Sequence, residues 1–163
     1  MGEDFSASEI VQIGIQIEKN GKDFYTTITE FSQRDKVKEV FQFLATEEEK
    51  HIKIFSDILS GFEEYEPSTA YPDEYFAYLK ALSDTYIFTK ENKGKDIAQK
   101  IKDDIQAIDL GIGFEKDSIL FYLEMKNLIW EEGQKIIDQL IEEERGHLRK
   151  LLEIKKGFEM WND

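Results

Sequence analysis

The chain has 163 residues, 40% of them apolar and 34% charged, and a formal net charge of −14. That balance excludes a nucleic-acid surface, which needs clustered Lys and Arg, because the 21 basic residues are scattered among 35 acidic ones. Zero cysteines exclude disulfides, zinc ribbons and thiol catalysis, and no apolar run approaches the ~20 residues that cross a membrane. The acidic start, residues 1–4, lacks a signal-peptide pattern, so the expected location is the cytoplasm. The length suits one domain over 1–163 with a sizeable core.

In chain order, Ser6-Ala7-Ser8-Glu9 reads as a capping box and opens a helix expected to run to about Phe31. A second helix follows a short turn around Arg34-Asp35 and stops near Ser60-Gly61, a glycine stop signal. The two prolines, Pro67 and Pro72, both fall in the next stretch. Tyr71-Pro72-Asp73-Glu74 reads as the start of a short helix with Tyr75, Phe76, Tyr78, Leu79 and Leu82 on its apolar side. Lys93-Gly94 reads as a break. A third long helix is expected from Asp96 or Asp103 to Lys126, and a fourth from about Leu128 to Lys156, ending before Gly157. Short turns make each long pair antiparallel, and the segment 61–99 can travel back along the bundle. The expected fold is all-α: a four-helix bundle with one long crossover.

The chain repeats itself. Ile13-Gly14-Ile15-Gln16-Ile17-Glu18-Lys19, with Phe24-Tyr25 following, matches Leu110-Gly111-Ile112-Gly113-Phe114-Glu115-Lys116, with Phe121-Tyr122 following, 97 positions on. Phe41, Leu44, Glu48, His51, Phe55 and Ile58 match Ile137, Leu140, Glu144, His147, Leu151 and Ile154, 96 positions on. Two copies of one helix pair imply a pseudo-twofold bundle. The change of offset implies that the first pair's link is one residue longer than the second's.

Each long helix carries one apolar seam, interrupted once. Glu18 interrupts Val11, Gly14, Gly21, Tyr25 and Ile28; Glu48 and His51 interrupt Val37, Phe41, Leu44, Phe55 and Ile58. Glu115 interrupts Ile108, Gly111, Ser118, Tyr122 and Met125; Glu144 and His147 interrupt Ile137, Leu140, Leu151 and Ile154. His51 and His147 are the only histidines, and each stands three residues after its Glu, on the same helix face. Four carboxylates in one buried layer repel strongly unless cations neutralise them, and no seam position is Lys or Arg. Two divalent ions balance four glutamates with both histidines neutral. Mixed imidazole and carboxylate donors suit iron, manganese or zinc better than calcium or magnesium. Tyr25 and Tyr122, two turns beyond Glu18 and Glu115, are either core tyrosines or hydrogen-bond partners of a ligand carboxylate, or both. The small residues Gly14, Gly21, Gly111 and Ser118 either leave room beside the ligands or let helices approach closely. Glu47, Glu49, Glu142 and Glu143 lie off the seams and read as solvated; replacing Glu143 is expected to do little.

These residues resemble the ferritin-like diiron-carboxylate superfamily, in its rubrerythrin branch: one Glu from each of two helices and Glu-x-x-His from each of the other two. The resemblance covers residues 7–60 and 100–156, and the Phe-Tyr after each lone Glu belongs to it. It implies that Glu18 and Glu115 are terminal ligands, that Glu48 and Glu144 bridge two iron ions, and that His51 and His147 each cap one. It implies a diiron oxidoreductase that reduces peroxide or dioxygen. The family's usual cysteine-rich rubredoxin domain has no counterpart here, so the electron donor is expected to be a separate molecule. Ser118 stands where peroxidase-type relatives carry a further Glu, which implies a six-ligand site. The alternative is an iron-binding protein of ferroxidase type, for storage or delivery; a third reading is a scaffold that metal only stabilises. The aromatic crossover (Tyr65, Tyr71, Tyr75, Phe76, Tyr78, Tyr86, Phe88) is expected either to cover the bundle or to form a homodimer surface.

Overall fold

The computed structural model describes residues 6–62, 73–86 and 89–161. They form α1 (Ala7–Phe31), α2 (Asp35–Gly61), α3 (Asp73–Thr85), α4 (Lys93–Ala98), α5 (Asp104–Met125), a 3-10 turn (Lys126–Leu128) and α6 (Glu131–Trp161), with no strand among them. The fold is the expected all-α, ferritin-like bundle. α1 packs on α2 and α5 on α6, and the pairs meet through α1–α5 and α2–α6 contacts. The crossover helices lie outside, α4 against α1 and α3 against α5.

The helix starts follow local chemistry. The capping box forms: Ser6 Oγ accepts from Glu9 N–H, and Glu9 Oε2 accepts from Ser6 N–H at 2.7 Å. Asp103 caps α5 by accepting from Gln106 N–H at 2.8 Å, which decides between the two expected starts. Every seam residue is buried as its spacing predicts. Phe24, Tyr25, Phe41, Phe55, Phe121 and Tyr122 are fully buried, and each contributes about 2–3 kcal/mol of hydrophobic stabilisation.

Four expectations need correction. Lys93-Gly94 does not break the pattern but opens α4. Gly94 is required because a Cβ there would lie 1.9 Å from the carbonyl oxygen of Asn20. The buried Asn20 fixes this crossing, donating to Lys90 O at 2.6 Å and accepting from Gly94 N–H at 3.2 Å. Second, α6 begins at Glu131 rather than Leu128 and continues past Gly157 to Trp161. Phe158 supplies the reason: its ring is buried and the Arg34 guanidinium stacks on it at 4.0 Å. Third, α2 ends at Gly61 without the left-handed glycine of a helix stop; a Cβ at Gly61 would meet the Trp130 ring at 2.4 Å, so close packing explains this glycine. Fourth, the connection after α5, residues 126–130, is longer than that after α1, residues 32–34. The extra residue between Glu18 and Glu48 sits in helix, because α1 runs thirteen residues past Glu18 whereas α5 runs ten past Glu115.

Two of the small seam residues serve close packing, whereas a Cβ at Gly14 would make only ordinary contacts, the nearest at 3.6 Å. A Cβ at Gly21 would lie 2.4 Å from the Phe114 ring, and one at Gly111 3.2 Å from Leu151. In the crossover, Tyr86 is buried with its ring 6.2 Å from that of Phe121, and Tyr75 donates to Glu124 O at 2.6 Å. These two cover the bundle, whereas Tyr78 is exposed; Tyr65, Tyr71 and Phe88 lie outside the described residues. No described helix is long and apolar enough to cross a membrane.

Candidate metal centre

The interruptions of the four seams meet in one layer. Glu18, Glu48, Glu115 and Glu144 and the ring of His51 are fully buried, and His147 is 3% exposed. Each sits mid-helix with apolar residues a turn away on both sides, so packing of the seam carries the polar group inward. Two overlapping groups result. Glu18, Glu48, His51 and Glu144 place one donor atom each within 4.8 Å of one another, and so do Glu48, Glu115, Glu144 and His147. Glu48 and Glu144 belong to both groups. The imidazole ring centroids lie 5.4 Å apart, with the planes 19° from parallel. His51 Nδ1 approaches Glu144 Oε1 at 3.1 Å and Glu18 Oε2 at 3.5 Å, and His147 Nδ1 lies 2.9 Å from Glu144 Oε2 and 3.7 Å from Glu48 Oε1.

Both tyrosines cross to the opposite repeat. Tyr25 donates to Glu115 Oε1 at 2.6 Å, and Tyr122 donates to Glu18 Oε1. This reciprocal exchange is what a pseudo-twofold axis between the repeats requires. Ser118 is buried and donates to Phe114 O at 3.0 Å, and it brings no carboxylate to the layer.

The layer fits two cations. Glu18 Oε2, both oxygens of Glu48, Glu115 Oε2, Glu144 Oε1 and His51 Nδ1 are buried without a hydrogen-bond partner; the only other such atoms among the described residues are Ser32 Oγ and Tyr86 OH. Buried polar atoms are normally satisfied, so six orphans facing one another mark a ligand layer. No Lys or Arg is buried among the described residues. Electrostatics agrees. Burial, then the charges of Glu18 and Glu144, hold Glu48 well above the usual carboxylate range; burial and the Glu144 charge do the same to Glu115. Burial and the Glu18 charge push Glu144 up to about 7. Glu18 resists burial through the neighbouring Glu48 carboxyl, the His51 charge and the Tyr122 hydroxyl, and falls to about 2. For His51, burial is outweighed by the charges of Glu18 and Glu144, which push it up to about 12, while burial holds His147 below its usual value. Protons therefore substitute for cations here, and metal ions would displace them.

One residue makes a contact that its place off the seam does not announce. Glu143, read as a solvated acid off the seam, places Oε2 2.9 Å from His51 Nε2, on the outer edge of that ring. Its side chain is 49% exposed, which is why seam periodicity passes over it.

A buried layer of two lone glutamates and two Glu-x-x-His pairs in a crossed-over four-helix bundle defines the ferritin-like class with a two-metal site. More narrowly, residues 9–155 match the rubrerythrin family, and the chain belongs to it. No curated protein and no solved structure matches the chain.

Proposed function

We propose that the protein is a diiron-carboxylate oxidoreductase that reduces peroxide or dioxygen with electrons from a separate donor. Glu18 and Glu115 would serve as terminal ligands, Glu48 and Glu144 as bridges, and His51 and His147 as one cap each. The observation that carries this is the convergence of six partnerless buried donor atoms from all four long helices. Two redox-active ions supply the two electrons that cleavage of one O–O bond needs. The chain does the rest. Tyr25 and Tyr122 fix one oxygen of Glu115 and Glu18, which turns the other oxygen of each inward. The apolar seams above and below exclude water. Reduction of hydrogen peroxide to two waters consumes two protons beside the two electrons, and the protons come from solvent because the ligand carboxylates are ionised when they hold metal.

A ferroxidase-type role in iron storage or delivery is the second reading, favoured by Ser118, which adds no seventh ligand. The proposal further treats 1–163 as one domain of a cytoplasmic protein. Anaerobic iron loading, chemical reduction and addition of hydrogen peroxide test the enzyme reading. Repeated turnover with stoichiometric consumption of reductant is expected. A single oxidation followed by iron release or mineral growth would favour the second reading.

A further inference from the structure

The two halves of the site are alike in the ligand layer and unlike just outside it. Glu47 and Glu143 occupy matching positions, each preceding a glutamate of the ligand layer. Glu143 reaches His51 Nε2 at 2.9 Å. Glu47 instead accepts from Lys50 Nζ at 2.5 Å. The position matching Lys50 is Gly146, which carries no side chain, so nothing at that position draws Glu143 away. His147 makes its hydrogen bond through Nδ1, to Glu144 Oε2 at 2.9 Å, and its ring meets the edge of Phe43 at 6.0 Å rather than a carboxylate.

From this difference, and resting on the metal-centre reading above, we infer that Glu143 is a positioning residue for His51 and that Lys50 withholds the matching carboxylate from His147. The position held by Glu18 and His51 therefore binds its ion more tightly than the position held by Glu115 and His147. A carboxylate on the outer N–H of a ligating imidazole fixes ring and tautomer and raises ligand basicity. With Nε2–H held by Glu143, the proton that His51 releases to a metal is the one on Nδ1, the nitrogen already turned toward Glu18 and Glu144. His147 must first release Nδ1 from Glu144 and has no carboxylate to set its outer nitrogen. Such outer partners change metal affinity by about 10-fold to 100-fold, and the other contacts do not offset this, because each terminal glutamate has its own tyrosine.

The chain's two histidines make the test direct. Imidazole nitrogen resonances are followed by NMR while Zn(II) is added to the metal-free chain, with assignment from the His147→Gln variant. The His51 signals should move during the first equivalent and those of His147 during the second. In Glu143→Ala, an exposed helical change, the two should move together while two equivalents still bind. In Lys50→Ala the gap should narrow as Glu47 is released. Simultaneous or reversed order in the wild type, or unchanged order in Glu143→Ala, would overturn the inference and leave the two-metal centre standing. No response from either histidine by two equivalents would overturn the centre itself.

Discussion

The α1–α2 half and the α5–α6 half carry the same pattern of three ligands, yet they are not interchangeable. Inside the layer they trade contacts symmetrically: Tyr25 serves Glu115 and Tyr122 serves Glu18. Outside it, Lys50 holds Glu47, whereas Gly146 leaves Glu143 to His51. The lesson is that burial preserves a repeat and exposure lets it drift. A buried carboxylate that loses its partner is strongly unfavourable, so the layer tolerates few changes. A glutamate at the partly exposed edge of the layer can exchange a lysine for a histidine at little cost in stability.

The comparison is broken most severely by removing a residue that both halves share. Glu144→Gln leaves one bridge, and metal content should fall from two ions per chain toward one, with peroxide-dependent turnover falling about 100-fold or more. Mass-spectrometric metal analysis beside a steady-state assay reads both. The metal-free variant should be the more stable at pH 8, because one buried carboxylate no longer has to ionise. Two ions per chain at full turnover would remove Glu144 from the bridging role.

The symmetric part of the comparison is sharpened by Tyr25→Phe and Tyr122→Phe. Each removes one phenol from one terminal glutamate, so metal affinity should fall about 10-fold in either variant. Competition with a coloured chelator measures it. A large effect from one tyrosine and none from the other would show that the halves differ inside the layer as well.

A pH series reads the layer as a unit. Glu144 is held at about 7 against an ordinary 4.5, and Glu48 and Glu115 are also raised by burial and mutual repulsion. A carboxyl raised in the folded state stabilises the fold fully below its unfolded value and loses that contribution as pH rises through its folded value. His51, raised from 6.5 to about 12, runs in the same direction across neutral pH. Glu18, lowered to about 2, contributes stability that is lost only in acid, as pH falls below 4.5. The metal-free chain should therefore lose about 1 kcal/mol from Glu144 alone between pH 6 and pH 8. Urea denaturation at the two values measures this. Constant or rising stability would mean that the layer is not held by protons.

The smallest effect is expected at Gly146. A Cβ there meets nothing within 4 Å, so Gly146→Ala should stabilise the chain by up to about 1 kcal/mol through helix propensity and leave metal content unchanged. A rise in melting temperature without change in metal content is the expected result.

Much of this was legible in the sequence, for a physical reason. A long helix advertises its buried face by period, so Glu18, Glu48, His51, Glu115, Glu144 and His147 could be placed in the core from seam spacing read together with the internal repeat. Elements fixed by a neighbour could not. α4 depends on Gly94 meeting the Asn20 backbone, and the end of α6 depends on Phe158 meeting Arg34. Glu143 depends on a helix from the other repeat. One signal was present: aligning the repeats sets Lys50 against Gly146 beside two matching glutamates.

The central claim is that these six side chains hold two metal ions, and an anomalous-difference map from a crystal grown with Mn(II) or Fe(II) tests it most directly. The account predicts two peaks about 3.5–4 Å apart. One should lie about 2.0–2.3 Å from oxygens of Glu18, Glu48 and Glu144 and from His51 Nδ1, and the other the same distance from Glu48, Glu115, Glu144 and His147 Nδ1. A single peak, or peaks only at surface carboxylates, would contradict it.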